Sequence, residues 1–275
     1  MKKKESWLNK KMNAVTARCK KDRAYKRRMI IAWALLLTVW TGVVFYLSQF
    51  VIALVAQWFI NTTQWEINLI AAQTVCVALS NTVAVIVAVL VSKKLFRRVV
   101  TRDSLGLKGM PTWTDVLLSP IGYIVSTVAG VFVIMVLQAV IRDVDWTQAQ
   151  DVGFNSVYSS ADRIITFVAL VIVAPITEEL MFRGFLYGRL RTKLSAVPAI
   201  ILVSVLFGVL HGQWNVGVIV CIMSVFMCIA RELTGTIYAG ILMHMIRNGI
   251  AFYLLYVNPI MGAMAGCATL WPFLV

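Results

Sequence analysis

Long apolar stretches alternate with short polar ones along the chain. A membrane-spanning helix needs about 20 apolar residues, because the hydrocarbon core is about 30 Å thick and a helix rises about 1.5 Å per residue. By this measure the sequence predicts seven spans, near 29–58, 69–92, 113–141, 164–187, 196–213, 215–231 and 235–256. A shorter eighth span is predicted near 259–275. The pattern therefore predicts an all-α fold, a polytopic transmembrane helical bundle with 7–8 spans.

Composition supports a membrane protein independently of the pattern. Apolar residues make up 60% of the 275 residues and charged residues only 14%. Soluble domains have about 45–50% apolar and about 25% charged residues. A water-soluble fold could not cover so much apolar surface, so the excess is expected to face lipid.

Basic residues are concentrated at the N-terminus. Twelve of the 26 Lys and Arg residues lie within 1–28, against two acids, Glu5 and Asp22. A dense basic block directly before an apolar stretch is typical of a cytoplasmic tail attracted to anionic lipid. The net charge of +14 therefore indicates a lipid bilayer as partner and no nucleic acid, since no DNA- or RNA-binding motif follows the tail.

The loops predict the orientation of the chain. Residues 93–112 hold six basic residues and one acid, which favours the cytoplasmic side, whereas 142–163 hold four Asp and two Arg, which favours the outside. We therefore expect a multi-pass protein of the cell membrane with a cytoplasmic N-terminus. Three regions follow: a basic cytoplasmic tail at 1–28, N-terminal transmembrane helices at 29–104, and a core at 105–275 that holds the candidate chemistry.

A few ionisable side chains lie within the predicted spans. Such groups are costly at membrane depth, so each needs a partner and usually has a function. They are Glu178, Glu179 and Arg183 in the fourth span, His211 in the fifth, and His244 and Arg247 in the seventh. The protein has no other histidine, and Asn248 adds an amide to the set. Asp115 is set apart, because Thr112 three residues before it predicts a capping box at the start of the third span.

Spacing divides these residues by role. Glu179 and Arg183 are four residues apart on one helical face and are expected to form an ion pair. Glu178 is rotated by about 100° from Glu179 and has no partner in its own helix. A buried carboxylate of this kind, beside a paired one, is the arrangement expected of a general base. His244 and Asn248 are also four apart and share a face.

Depth brings these groups together. Counted from helix ends near 189, 196 and 235, Glu178, His211 and His244 lie about 16, 22 and 14 Å along their helices. Helix tilt absorbs a difference of this size, so three spans are expected to bring acid and imidazole groups to one level. Pro175 removes a backbone N–H just before the glutamates and is expected to bend the helix toward a cavity.

Three short motifs, on the fourth, fifth and seventh predicted spans, together resemble a known family. This is the CAAX-protease and bacteriocin-processing family of intramembrane proteases (CPBP, or Abi), related to the type II CAAX prenyl endopeptidases. The matching residues are Glu178, Glu179 and Arg183 in TEELMFRGFLYGRL, Phe207 and His211 in FGVLHG, and His244 and Asn248 in HMIRN. The resemblance covers roughly 105–256, which makes 105–275 a CPBP-like intramembrane protease core.

The resemblance implies hydrolysis of a peptide bond in a cavity within a helical bundle, with a membrane-associated peptide or protein as the substrate. Carried over by position, Glu178 with His211 would activate water, and His244 and Asn248 would donate hydrogen bonds to the oxyanion. Glu179 and Arg183 would support the geometry, as would Phe207. A prenylated tail and a bacteriocin precursor both remain open as substrates, and the oligomeric state is open too.

A metal ion is the alternative to glutamate catalysis. Members of the family are often described as metalloproteases, and Glu178, His211 and His244 could bind zinc with water in the fourth position. The sequence has no HExxH motif, and a ligating Glu178 would leave the general base to another residue. We therefore expect catalysis without a metal cofactor, with divalent zinc as the alternative.

Two other classes of function are weighed against the protease. A non-catalytic membrane scaffold or immunity protein, acting by binding a partner, would make the buried residues dispensable, which the intact motif set argues against. A transporter would use the buried charges as an ion path, but it would favour broken helices in paired positions or an inverted repeat. The sequence has neither pattern.

Overall fold

The computed structural model describes residues 7–63, 69–95, 100–141, 146 and 159–258. Within these ranges the chain forms helices and no strand. We number the helices α1 Trp7–Thr63, α2 Leu69–Leu95, α3 Trp113–Val140, α4 Ser160–Leu190, α5 Ala196–Val209, α6 Trp214–Thr234 and α7 Tyr238–Val257. The all-α helical bundle predicted from the sequence is confirmed. The eighth span, predicted near 259–275, lies outside the described residues.

Six of these helices are long and apolar enough to cross a membrane, namely all except α5. Their outer faces carry large apolar side chains, including Trp58, Leu90 and Phe132, which are 67%, 65% and 68% exposed. Soluble proteins rarely leave so much contiguous apolar surface in water. The chain is a multi-pass membrane protein.

Helix α1 extends well beyond a single span. It contains 57 residues without interruption, which corresponds to a length of about 85 Å. A bilayer with its headgroups is about 40–45 Å thick. The predicted boundary between tail and first span, at 28–29, therefore lies within one continuous helix, and most of the basic tail is the first half of that helix.

The fifth predicted span is wrong in its extent. Instead of running over 196–213, helix α5 has 14 residues and ends at Val209. Its length of about 21 Å is less than the hydrocarbon core requires. Leu210 caps the helix, and Gly212 in the turn that follows adopts a left-handed conformation with φ of 71°, which glycine accepts without steric cost. His211 therefore lies in the turn after α5 and not inside a span.

Helix α4 is at the centre of the bundle. It packs against α2 and α7, while α3 packs on α6 and α7, and α5 packs on α6. The rings of Phe45, Phe182 and Phe207 connect α1, α4 and α5 through edge-to-face contacts, with centroids 5.7 and 5.0 Å apart. This aromatic core holds α4 between helices from both halves of the chain.

Helix α4 also changes its winding twice. Val168–Val173 and Leu180–Tyr187 are π-helical, and the α-helical turn Ala174–Glu179 lies between them. Pro175 is the second residue of this middle segment, so its missing N–H falls where the wider π-helical turn passes into the α-helical one and the helix continues. Both glutamates lie on the short α-helical segment between the two π-helical ones.

Two polar contacts fix the ends of helices. At the start of α3, Thr112 and Asp115 form the predicted capping box, which is confirmed, and the Asp115 carboxylate also accepts a 2.6 Å hydrogen bond from Thr236. After α4, Arg191 donates hydrogen bonds of 2.7 and 3.0 Å to Glu232 of α6. The bond to Glu232 raises the pKa of Arg191, so this guanidinium stays charged.

Candidate active site

A cavity of about 260 Å³ lies among α1, α2, α4 and α7, beside the turn that follows α5. Most of its polar lining comes from the residues singled out in the sequence: Glu178, His211, His244, Arg247 and Asn248. Phe45 and Gln49 of α1 and Val77 of α2 complete part of the wall. Acid, imidazole and amide groups from three separate regions therefore meet around one space.

Glu178 projects from α4 with its two carboxylate oxygens in different surroundings. Oε2 lies 4.0 Å from Nε2 of His244, which also lines the cavity. Oε1 accepts a 2.9 Å hydrogen bond from Nδ2 of Asn81 on α2. The side chain is 14% exposed, so it is largely desolvated yet reaches the cavity.

Glu179 faces away from the cavity and into the bundle. Its Oε1 accepts a 2.6 Å hydrogen bond from Arg183, and both side chains are fully buried. The same oxygen lies 3.4 Å from Nδ1 of His244. One carboxylate therefore contacts both the arginine of its own helix and the imidazole of α7. The His244 ring thus lies between the two glutamates, with Nδ1 toward Glu179 and Nε2 toward Glu178.

Gly240 provides the room for this contact. A Cβ atom built at position 240 would lie 2.7 Å from Oε2 of Glu179, so a glycine lets α7 approach α4 this closely. Gly240 is one turn before His244 on the same helix. The close approach places the imidazole within reach of both glutamates.

His211 is held by the end of helix α5. Its Nδ1 lies 2.8 Å from the carbonyl oxygen of Phe207, and the two rings contact each other with centroids 4.9 Å apart. The Phe207 ring also meets His244, at 5.9 Å, and the Arg183 guanidinium, at 4.4 Å. Phe207 therefore packs against both histidines and the buried arginine, which orders the four side chains.

Asn248 binds a carbonyl oxygen of α4. Its Nδ2 donates a 2.9 Å hydrogen bond to the Leu170 carbonyl, in the first π-helical segment. In that segment the N–H of Ala174 bonds to Ala169, five residues back. In the same register, Leu170 would accept from residue 175, which is Pro175 and has no N–H. The Asn248 amide thus takes the place of the hydrogen bond that proline cannot make.

Sequence reasoning missed Asn81. It lies on α2, is 1% exposed, and bonds directly to the carboxylate proposed as general base. The cost of polar groups at membrane depth applies to amides as well as to charges. Applied to the Ser80-Asn81 pair inside the second apolar stretch, the same criterion would have found it. Gly240 gave no such signal, because only the packing reveals its role.

The metal alternative depends on how the two imidazoles are turned. Among the described residues, no group of three or more His, Cys, Asp or Glu side chains is close enough to hold one metal ion as the side chains stand. His211 turns Nδ1 to a backbone carbonyl, and Nε2 of His244 lies 4.0 Å from the nearest Glu178 oxygen. Zinc on Glu178, His211 and His244 stays the alternative prediction.

Comparison with known families bears on this site. Residues 160–250 match the sequence profile described as "Type II CAAX prenyl endopeptidase Rce1-like". The segment is similar to that family. The match confirms the resemblance inferred from the three motifs, and it supports an intramembrane endopeptidase of the CAAX type in general. No curated protein and no solved structure matches the chain.

The Rce1-like segment covers about a third of the chain, from the start of α4 into α7. It contains both glutamates, both histidines and Asn248. Asn81 and the α1 residues of the cavity wall lie outside it. The matched segment therefore supplies most of the polar groups, while helices ahead of it complete the enclosure.

Proposed function

We propose that this protein is an intramembrane endopeptidase that hydrolyses a peptide bond of a membrane-associated substrate with water activated by Glu178. The observation that carries the proposal is the shared cavity lined by Glu178, His211, His244 and Asn248 within the Rce1-like segment. Acid, imidazole and amide groups in one desolvated space are the components of general acid–base hydrolysis.

In the proposed reaction, the Glu178 carboxylate, with His211, accepts a proton from water as the water oxygen attacks the peptide carbonyl carbon. A tetrahedral intermediate forms with its negative charge on the former carbonyl oxygen. The C–N bond then breaks, and the proton held by Glu178 passes to the departing amine. One water is consumed, and a carboxylic acid and an amine are released.

Stabilisation of the oxyanion is assigned to His244 and Asn248. The Asn248 amide has two N–H groups, of which one bonds to Leu170, so the second is available to a bound oxyanion. Donors of this kind typically contribute about 10²–10³-fold in rate. Glu179, held by Arg183, supports the reaction indirectly by orienting the His244 ring.

The mechanism is proposed without a metal cofactor. In it Glu178 is the general base, and a Glu178 bound to zinc would leave that task to another residue. Elemental analysis of the purified active enzyme checks this point. Zinc at one equivalent per chain, with activity lost on chelation and restored by zinc, would contradict the metal-free mechanism.

A lipidated C-terminal tail is the first substrate class to test, because the matched family is described as acting on prenylated CAAX sequences. A suitable probe is a farnesylated peptide ending in a CAAX tetrapeptide, with a fluorophore before the cysteine and a quencher on the last residue. A bacteriocin-like precursor is the second class. A comparison of peptide termini in membranes with active or inactive enzyme would detect cleavage of either substrate class.

The decisive variant is Glu178→Gln, which keeps the size of the side chain and removes the base. We expect it to abolish cleavage of the natural substrate. That substrate is identified by a new peptide terminus that is present in membranes with the wild type and missing in membranes with the variant. Glu232→Gln is the matched control, since Glu232 bonds to Arg191 far from the cavity lining. Membranes with Glu232→Gln should show the same peptide termini as membranes with the wild type.

The alternative of a non-catalytic scaffold makes the opposite prediction. A scaffold would keep its cellular phenotype in both Glu178→Gln and His211→Ala, and it would co-purify with a partner protein. Unchanged termini and an unchanged phenotype in Glu178→Gln, with expression preserved, would refute the endopeptidase.

A further inference from the structure

Asn81 stands directly behind the proposed general base. Its Nδ2 donates a 2.9 Å hydrogen bond to Oε1 of Glu178, and its side chain is almost fully buried. Asn81 is not among the side chains that line the cavity, although Val77, one turn earlier on α2, is. The amide therefore reaches the carboxylate from the side opposite to the space where a substrate would bind.

This contact gives the two oxygens of Glu178 different roles: Oε1 bonds to Asn81, and Oε2 is left on the side of His244. The terminal torsion of a glutamate is broad, so a free carboxylate can turn either oxygen toward a neighbour. A hydrogen bond to Oε1 restricts this rotation and leaves Oε2 on the side of His244, 4.0 Å from Nε2. The base is thus presented to the cavity through one defined oxygen.

Within the described part of the chain, the second polar atom of Asn81, Oδ1, is buried and makes no hydrogen bond. A buried acceptor of this kind requires an explanation. The bond from Nδ2 to Glu178 gives one, because it requires an amide at this position although the amide oxygen stays unpaired.

We propose that Asn81 is a positioning residue for Glu178. It donates a hydrogen bond to Oε1 of the carboxylate, so Oε2 remains the oxygen that takes the proton from water and passes it to the amine. The inference rests on the proposed endopeptidase function. It assigns a role to α2, which lies outside the segment that matches the family profile.

The kinetic test uses the farnesylated CAAX peptide and the full-length protein in detergent or nanodiscs. Asn81→Leu keeps the approximate volume and removes both polar atoms. We expect kcat to fall about 10–100-fold with KM within twofold, since groups that orient a catalytic residue typically have effects of this size. Asn81→Gln, which retains an amide, should recover part of the loss.

Ser80→Ala is the matched control on the same helix. Ser80 is as deeply buried as Asn81, but its hydroxyl bonds to the Val77 carbonyl of its own helix. We expect wild-type kcat and KM in this variant. A thermal unfolding curve for each variant separates loss of folded protein from loss of turnover.

A second measurement needs no substrate. The infrared carboxyl band of Glu178 is identified as the band that disappears in Glu178→Gln. We expect Asn81→Leu to shift this band and Ser80→Ala to leave it in place. An unshifted band in Asn81→Leu would overturn the proposal, because the contact would then be absent.

The outcomes distinguish this inference from the function on which it rests. If Glu178→Gln abolishes turnover while Asn81→Leu keeps wild-type kcat, the positioning role is refuted and the endopeptidase stands. If Glu178→Gln turns over substrate like the wild type, the proposed function itself fails. A loss in Asn81→Leu that appears only as less folded protein also refutes the positioning role.

Discussion

Arg183 and Glu179 form an ion pair with no exposed surface on either side chain. Removing one member of such a pair leaves an uncompensated buried charge, at a cost of about 3–5 kcal/mol. We expect Arg183→Met to lower the unfolding temperature strongly, and the double variant with Glu179→Gln to recover part of the loss. Thermal unfolding in detergent micelles measures both. A double variant no more stable than Arg183→Met would show that the buried charge is not the cause.

Gly240 makes a second prediction at the scale of one residue. In Gly240→Ala, the new methyl group would lie 2.7 Å from the Glu179 carboxylate, which Arg183 holds in place. We expect a loss of stability of about 1–3 kcal/mol from overpacking and a lower kcat from displacement of His244. The matched control is Gly249→Ala on the same helix, where the nearest atom would be 3.7 Å away. Equal effects in the two variants would contradict this explanation.

At the scale of secondary-structure elements, helix α4 lacks one backbone hydrogen bond to the Leu170 carbonyl, and the Asn248 side chain makes a bond there instead. Pro175→Ala would supply the missing N–H, which would then compete with Asn248 for the Leu170 carbonyl. We expect unchanged or greater thermal stability and a cleavage rate several-fold lower, because Asn248 loses its anchor. The measurement is kcat together with the unfolding temperature.

Pro198→Ala is the control for this variant. Pro198 lies in the first turn of α5, where a backbone N–H has no partner within the helix. Turnover should be the same as in the wild type. If Pro175→Ala is also fully active, the link between the π-helical segment and Asn248 has no catalytic consequence.

Some helices and contacts could be predicted from the sequence, and others could not. Spans such as 113–141 were predictable because their length and apolarity are imposed by the bilayer. The i,i+4 pair of Glu179 and Arg183 follows from helix geometry alone. The end of α5 at Val209 was not predicted, because an apolar stretch does not fix the residue at which a helix stops. The contact of Asn81 with Glu178 joins positions 97 residues apart, which no local spacing encodes.

At the scale of the whole molecule, the orientation in the membrane remains a prediction from the distribution of basic residues. Cys19 lies inside the basic tail, so labelling of its thiol reports the side of the membrane on which the tail lies. With the other four cysteines replaced by serine, a membrane-impermeant thiol reagent should label Cys19 in inside-out vesicles and not in intact cells. A variant without cysteine sets the background. Labelling in intact cells would place the tail outside and reverse the predicted topology.

The enclosure of the cavity by α1 and α2 has a consequence for how such a protein can be altered. Phe45, Gln49 and Val77 belong to the wall but lie far ahead of the segment that carries the bond-breaking groups. Part of the wall can therefore be altered without touching those groups. Replacing Phe45, Gln49 and Val77 while Asn81 is kept should change which molecules enter the cavity and leave the proposed catalytic side chains in place.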